Sequence, residues 1–316
     1  MNDKAFNLVK SSQAKQSLTA KSAAVKMTPS EELMAYRITP QTVLDPMEFL
    51  FKMNGTECFP LSELVANTGK AKSGKTLFLS IVMACCLKKN ILGLERIRDK
   101  PIRVLWYDTE QSAQSTQQIL VKRIIPLAAT PSDSSESSIQ DSLNDQFFVF
   151  NVRGIGCEKR RELLAVAVKE FRPDLVIVDG VKDLILDIND GTQATVVVEE
   201  QMGIAQEYNC CIVDVLHQNK SDTDRNMRGW IGTELTNKAF EVWSCSKVPN
   251  TETFKVEHVM SRMKRSEENL YYQLDENALP VSCDRPDEQP REQNGRFASK
   301  KKAEQEESKK PIQTKT

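Results

Sequence analysis

Residues 69 to 76 read GKAKSGKT, two glycines separated by four residues and followed directly by a lysine and a threonine. Each type has a physical use. Gly69 and Gly74 permit backbone conformations in which successive N–H groups converge on an anion. Lys70, Ala71, Lys72 and Ser73 form the loop between them, and Leu77 follows in the apolar run LFLSIVMACCL. Lys75 is placed to reach the β- and γ-phosphates of a nucleotide, and the Thr76 hydroxyl to hold Mg²⁺. A helix opening at this loop would add the attraction of its N-terminal dipole for phosphate. The spacing therefore predicts a site for a nucleoside triphosphate, ATP with Mg²⁺. Two carboxylates add to it. Asp179 ends the buried run PDLVIVD, from where an acid can hold the metal or its water shell. Glu110 follows Asp108 at the tip of VLWYDTE, the position of a general base that polarises an attacking water.

The elements that must position these groups can be read from periodicity. The runs at 102–108, 146–152, 174–180 and 210–216 are almost continuously apolar, as expected of parallel strands buried on both faces. A further strand over LSELVANT precedes the glycine loop. Helical patterns lie between the strands at 74–89, 111–124, 157–171 and 192–207, the last presenting Val196 and Ile204 on one face. Alternation of this kind implies an α/β fold with a doubly wound, mostly parallel sheet. After residue 238 the runs FEVWSCSKV, TFKVEHVMS and NLYYQLD are shorter and read as antiparallel strands extending it. Folded chain is expected over 35–280. Residues 1–34 read as a disordered basic arm, with Lys4, Lys10, Lys15, Lys21 and Lys26 near the start, and 281–316 as a disordered charged tail.

The chain has 316 residues, 40% hydrophobic and 28% charged, with a formal net charge of −1, so any nucleic-acid surface must be local. No run approaches the length of a membrane helix, and no compact apolar leader opens the chain, which points to the cytoplasm. The eight cysteines contain no C-x-x-C and there are two histidines, a composition of reduced core thiols rather than a zinc site.

With Glu110 following the second strand of the pattern, the chain resembles the RecA-like ATPases, in particular the RepA and DnaB-type hexameric helicase core. Within that group it resembles the AAA family ATPases of plasmids and mobile elements, through TGKAKSGKT and YDTEQ. The resemblance spans about residues 50 to 265. It implies ATP hydrolysis with Glu110 as the base, a γ-phosphate sensor at His217, and a homo-oligomeric, hexameric ring. It also implies a loop facing single-stranded DNA in replication or mobilisation, here Lys220, Arg225 and Arg228. Trp230 in MRGWIGTEL is either a stacking platform for bases or a side chain packed inward. Ring ATPases of this type supply a cation to the neighbouring subunit from a Lys-x-Arg pair. Met260 stands at the lysine position if Arg262 is that cation; otherwise the pair shifts to Lys264 and Arg265. The alternative to a motor is a regulatory ATP-binding module, of KaiC-like kind, that changes shape or assembly with little hydrolysis.

Overall fold

The computed structural model describes residues 28–129, 145–221 and 224–286. The arm at 1–27, the tail at 287–316 and most of the serine-rich stretch 126–145 lie outside them. The chain divides into two units, Met1–Pro46 and Met47–Thr316. In the first, α1 (Pro29–Ala35) carries a full capping box, with the Thr28 side chain and Glu31 each bonded to the other's backbone. Part of the stretch assigned to the basic arm is thus helical.

In the second unit, β1 (Phe49–Met53) and β2 (Thr56–Pro60) form a hairpin, followed by β3 (Leu64–Gly69) and α2 (Lys75–Leu87). Two short strands follow, β4 (Asn90–Ile91) and β5 (Leu94–Arg96), then β6 (Val104–Asp108). Helix α3 (Ala113–Ile119) runs through a widened π turn at Leu120–Ile124 into α4 (Ile125–Ala128). The expected 111–124 helix is interrupted there because Pro126 lacks an N–H and crowds the turn before it; the Ile125 N–H reaches back to Leu120 O instead. Next come β7 (Phe147–Asn151), α5 (Cys157–Phe171), β8 (Leu175–Asp179), a 3₁₀ turn at Val181–Leu184, α6 (Gly191–Tyr208) and β9 (Cys211–His217). The chain then forms α7 (Gly229–Lys238), β10 (Glu241–Lys247), β11 (Phe254–Ser261), β12 (Leu270–Leu274) and β13 (Pro280–Ser282).

The main sheet has nine strands in the order β13-β12-β11-β10-β3-β9-β8-β6-β7. From β10 to β7 every pairing is parallel, and β11, β12 and β13 are antiparallel. The fold is thus α/β with a mostly parallel sheet and antiparallel strands at its C-terminal end. One expectation is corrected: β10 pairs parallel with β3 on its inner side, because α7 is a crossover that returns the chain to the edge from which β3 starts.

The sheet buries both faces, with side chains alternating between them. Val65, Trp106, Ile177 and Val213 join one core with α2; Ala66, Tyr107, Val178 and Ile212 join the other with α5, α6 and α7. Helix α2 is buried along nearly its whole length because β1, β2, β4 and β5 form a separate four-stranded sheet in the same core. That cover explains why LFLSIVMACCL is apolar all round. The face of α6 differs slightly from expectation: Ala194, Val197, Val198, Gln201 and Ala205 are buried, whereas Val196 is exposed. Six of the eight cysteines are buried, and all are free thiols. No helix among the described residues is long and apolar enough to cross a membrane.

Candidate nucleotide site

Strand register assembles the site. Gly69 pairs with His217 across β3 and β9, and Asp179 pairs with Asp108 across β8 and β6. All four sit at the carboxyl ends of adjacent parallel strands, where open α/β sheets bind ligands.

The loop 69–74 is held by its glycines. Gly69 has φ +151 and Gly74 φ +93, and a Cβ at Gly69 would come within 2.3 Å of Cys245 O. At Gly74 it would meet Phe254 Cδ1 at 2.7 Å and Tyr272 Oη at 3.0 Å. Those two rings stack with centroids 5.3 Å apart and back the loop, and the Tyr272 hydroxyl donates to Gly74 O at 3.3 Å. The resemblance did not point to them, because strands almost two hundred residues later supply them.

Lys75 Nζ donates to Gly69 O at 3.0 Å and Lys70 O at 2.8 Å, and lies 3.0 Å from His217 Nδ1. An ammonium can only donate, so Nδ1 is the accepting nitrogen and the ring proton lies on Nε2. Nε2 faces Glu110 Oε1 at 3.7 Å. A chain of polar contacts therefore runs from the phosphate loop through His217 to the candidate base. Burial lowers the Lys75 pKa from its ordinary value.

Glu110 also receives Lys182 Nζ from the 3₁₀ turn after β8. His217 and Lys182 together hold the Glu110 carboxyl at about 2. Lys182 is the firmer hold, since 3.7 Å exceeds a hydrogen bond. Asp179 goes the other way. Burial, then the charges of Asp108 and Glu110, push it up to about 7, and its Oδ2 is buried without a hydrogen-bond partner among the described residues. Asp108 is structural, accepting the Glu110 and Gln111 N–H groups and, at 2.6 Å, the Thr116 hydroxyl. A polar cavity of about 480 Å³ opens here between Thr109, Glu110, Arg153, Arg160, Lys182 and His217. A larger groove of about 640 Å³, lined by glutamates of α5 and α6, contains none of the candidate residues.

Of the other expected residues, Leu77 packs against the α2 core. Lys220, Arg225 and Arg228 are exposed in the loop after His217, and Trp230, 54% exposed, does not pack inward. Arg262, Lys264 and Arg265 are not brought to this site. Ser261 pairs with Glu241, which pairs with Val65, so they follow at the opposite end of the strands, about 15 Å from Gly69 at strand rise. Arg262 donates to Asn237 O and Lys238 O and so caps α7.

Comparison with known proteins agrees with this geometry. No curated protein matches the chain. Among solved structures it is similar to a KaiC-like protein, PH0186, from the hyperthermophilic archaeon Pyrococcus horikoshii OT3, at 12% identity and a TM-score of 0.51, covering 72% of this chain and 93% of that one. At that identity the likeness speaks for the RecA-like fold alone. The family described as AAA domain matches residues 52–223, from β1 to the loop after His217. The chain therefore belongs to the AAA domain family, with the P-loop ATPase core that the fold provides.

Proposed function

We propose that this chain is a RecA/RepA-like ATPase that couples ATP hydrolysis to single-stranded DNA, in the replication or mobilisation of a plasmid or other mobile element. The observation that carries the reading is the direct bonding of the basic loop to the phosphate loop. The Gln218 N–H donates to Gly69 O at 3.2 Å, and the Arg228 N–H to His217 O at 2.9 Å. Whatever moves Gly69 or His217 on nucleotide binding moves both ends of the segment carrying Lys220 and Arg225. Exposed cations for phosphates and exposed Trp230 for stacking suit a single strand.

In this reading the loop N–H groups and Lys75 bind the phosphates. The buried Asp179 Oδ2 and the Thr76 hydroxyl form a hard-oxygen donor set that fits Mg²⁺. When bound, the ion supplies charge neutralisation on the phosphate oxygens. Glu110 takes the proton of the attacking water, and His217 reports γ-phosphate occupancy to the loop. Arg262, Lys264 and Arg265, remote from their own site, would serve a neighbouring copy in a hexameric ring. Lys264 is better placed than Arg262 and Arg265, whose guanidiniums are engaged by backbone carbonyls. A cytoplasmic location goes with these roles.

A second reading, an ATP-controlled switch without DNA translocation, draws on one observation. Trp230 lies beside Gly191, so its exposed ring adjoins the segment holding Asp187 and Asp190. Acids there oppose a nucleic-acid surface. Steady-state hydrolysis with and without single-stranded DNA separates the two, with Glu110→Gln as control. Strong stimulation lost in the variant supports the motor; slow hydrolysis indifferent to DNA, with ATP binding intact, leaves the switch.

A further inference from the structure

Lys182 has no role in the phosphate-loop motif, yet its ammonium occupies the atom on which the proposed chemistry depends. Glu110 Oε1 receives Lys182 Nζ and has His217 Nε2 3.7 Å away, so this oxygen of the candidate base already faces a cation instead of a water proton. The turn that carries Lys182 is fastened to the strand end that carries Glu110. The Gly180 N–H donates to Thr109 Oγ1 at 2.9 Å, and that hydroxyl lies 2.9 Å from Asp183 Oδ2. Arg160 Nη1 donates to Asp183 O at 2.8 Å, tying the far side of the turn to α5. The two backbone segments are thus tied together, so release falls to the side chains, and Lys182 is the more exposed of the pair. It remains 38% exposed over the polar cavity, so it has somewhere to go.

We propose that Lys182 is a positioning residue that holds Glu110 in reserve, releasing the carboxylate only when another strong anion draws its ammonium away. The chemistry of that anion is given by the surroundings. Lys182 shares the cavity with His217, whose other nitrogen touches Lys75, and Lys75 is the cation of the phosphate loop. The terminal phosphate of a bound triphosphate is therefore the ligand anion that would compete with Glu110 for Lys182. The device would suppress hydrolysis even in the ATP-bound chain until the loop after His217, tied by backbone hydrogen bonds to Gly69 and His217, is ordered and the terminal phosphate comes within reach of Lys182. The lowered carboxyl of Glu110 agrees, since a carboxylate stabilised so strongly as the anion is a weak proton acceptor. This inference rests on Glu110 being the base.

The test compares wild type with Lys182→Met, Lys182→Arg and Glu110→Gln in the full chain, reading kcat and KM for ATP without DNA. Lys182→Met should raise basal kcat about tenfold, the gain expected when a base becomes more available, with KM within about twofold. Its stimulation by single-stranded DNA should shrink, because release no longer has to be triggered. Lys182→Arg keeps a cation and should return kcat toward wild type. Lys182→Gln, also neutral but polar, should reproduce the Met gain and guards against a fault of folding in one variant. Basal kcat that stays level or falls in both neutral variants, with ATP still bound, overturns the proposal. Glu110→Gln tests the underlying reading separately: if it leaves wild-type turnover intact, the base is wrong and the inference falls with it. If it abolishes turnover while the neutral variants show no gain, only the inference falls.

Discussion

Two clusters of titratable groups in this molecule are displaced from their ordinary range, and they differ in what surrounds them. At the carboxyl edge of the sheet, Asp179 is pushed up to about 7 and Glu110 is held at about 2. Beneath the small sheet, burial pushes Glu241 to about 7 as well, while burial lowers His258 to about 4. The first cluster opens onto a polar cavity and faces Lys75, Lys182 and His217. The second is sealed by aromatic rings: Trp243 stacks on His258 at 4.1 Å and on Phe59 at 5.7 Å. Glu241 Oε2 accepts the Phe59 N–H and the Trp243 Nε1–H, two donors fixed in the fold. A displaced pKa therefore marks a functional group only when a cation and an opening accompany it. Glu241 has neither, and its work is to join β2 to β10.

The largest effect expected from this contrast is catalytic. Glu110→Gln should lower kcat by about 10²- to 10⁴-fold, the usual weight of a general base, and cost only about 1 kcal/mol of stability, the weight of its partly exposed pair with Lys182. Glu241→Ala should do the reverse. It strands two buried donors, which at about 1–3 kcal/mol each places the loss near 2–6 kcal/mol by denaturant titration. Turnover per folded molecule should stay at wild type. A fall in kcat for Glu241→Ala without a fall in stability would break the comparison.

Much of the open site was legible in the sequence and little of the sealed one. The phosphate loop, Glu110 and Asp179 are local patterns, with the residue type and its position at a strand end in the same few letters. Lys182 is not, since a single lysine after VIVDGV could face anywhere until the 3₁₀ turn sets its direction. Helix α7 went unseen within the polar stretch after His217, and with it the crossover that makes β10 parallel to β3. The four-stranded sheet escaped because β4 and β5 are two and three residues long, too short for a period to show. Glu241 is one polar letter inside the apolar run FEVWSC. Its burial comes from Phe59, 182 residues away.

A smaller effect, of opposite sign in the two members of the sealed cluster, depends on pH. Glu241 has a folded pKa raised to about 7 from 4.5, so between those values the folded chain holds a proton that the unfolded chain has lost. Its contribution is intact below about pH 4.5 and is lost as pH rises through 7, a penalty reaching about 3 kcal/mol. Glu241→Gln keeps an oxygen for both donors and never ionises. It should match wild type near pH 4.5 and be the more stable of the two by about 2–3 kcal/mol near pH 8, measured by urea unfolding at each pH.

The smallest effect belongs to His258. Its Nδ1 accepts the Ser266 N–H at 3.1 Å, while Nε2 is buried with no partner among the described residues. His258→Phe keeps the stack on Trp243 and relieves Nε2, but orphans the Ser266 donor, so the net cost at pH 7.5 should be about 1 kcal/mol. Burial holds the folded ring neutral down to about 4, whereas the unfolded ring takes its proton near 6.5. Wild type therefore loses stability as pH falls through that window, and the phenylalanine variant does not. The deficit of His258→Phe should disappear and turn into an advantage of about 1–2 kcal/mol between pH 7.5 and 4.5, in the direction opposite to the Glu241→Gln difference because the base and the acid favour their neutral forms from opposite sides. A deficit that grows on acidification would mean that the ring is charged in the folded chain. In that case Glu241 would have a cation nearby after all, and the line drawn between the two clusters would have to move.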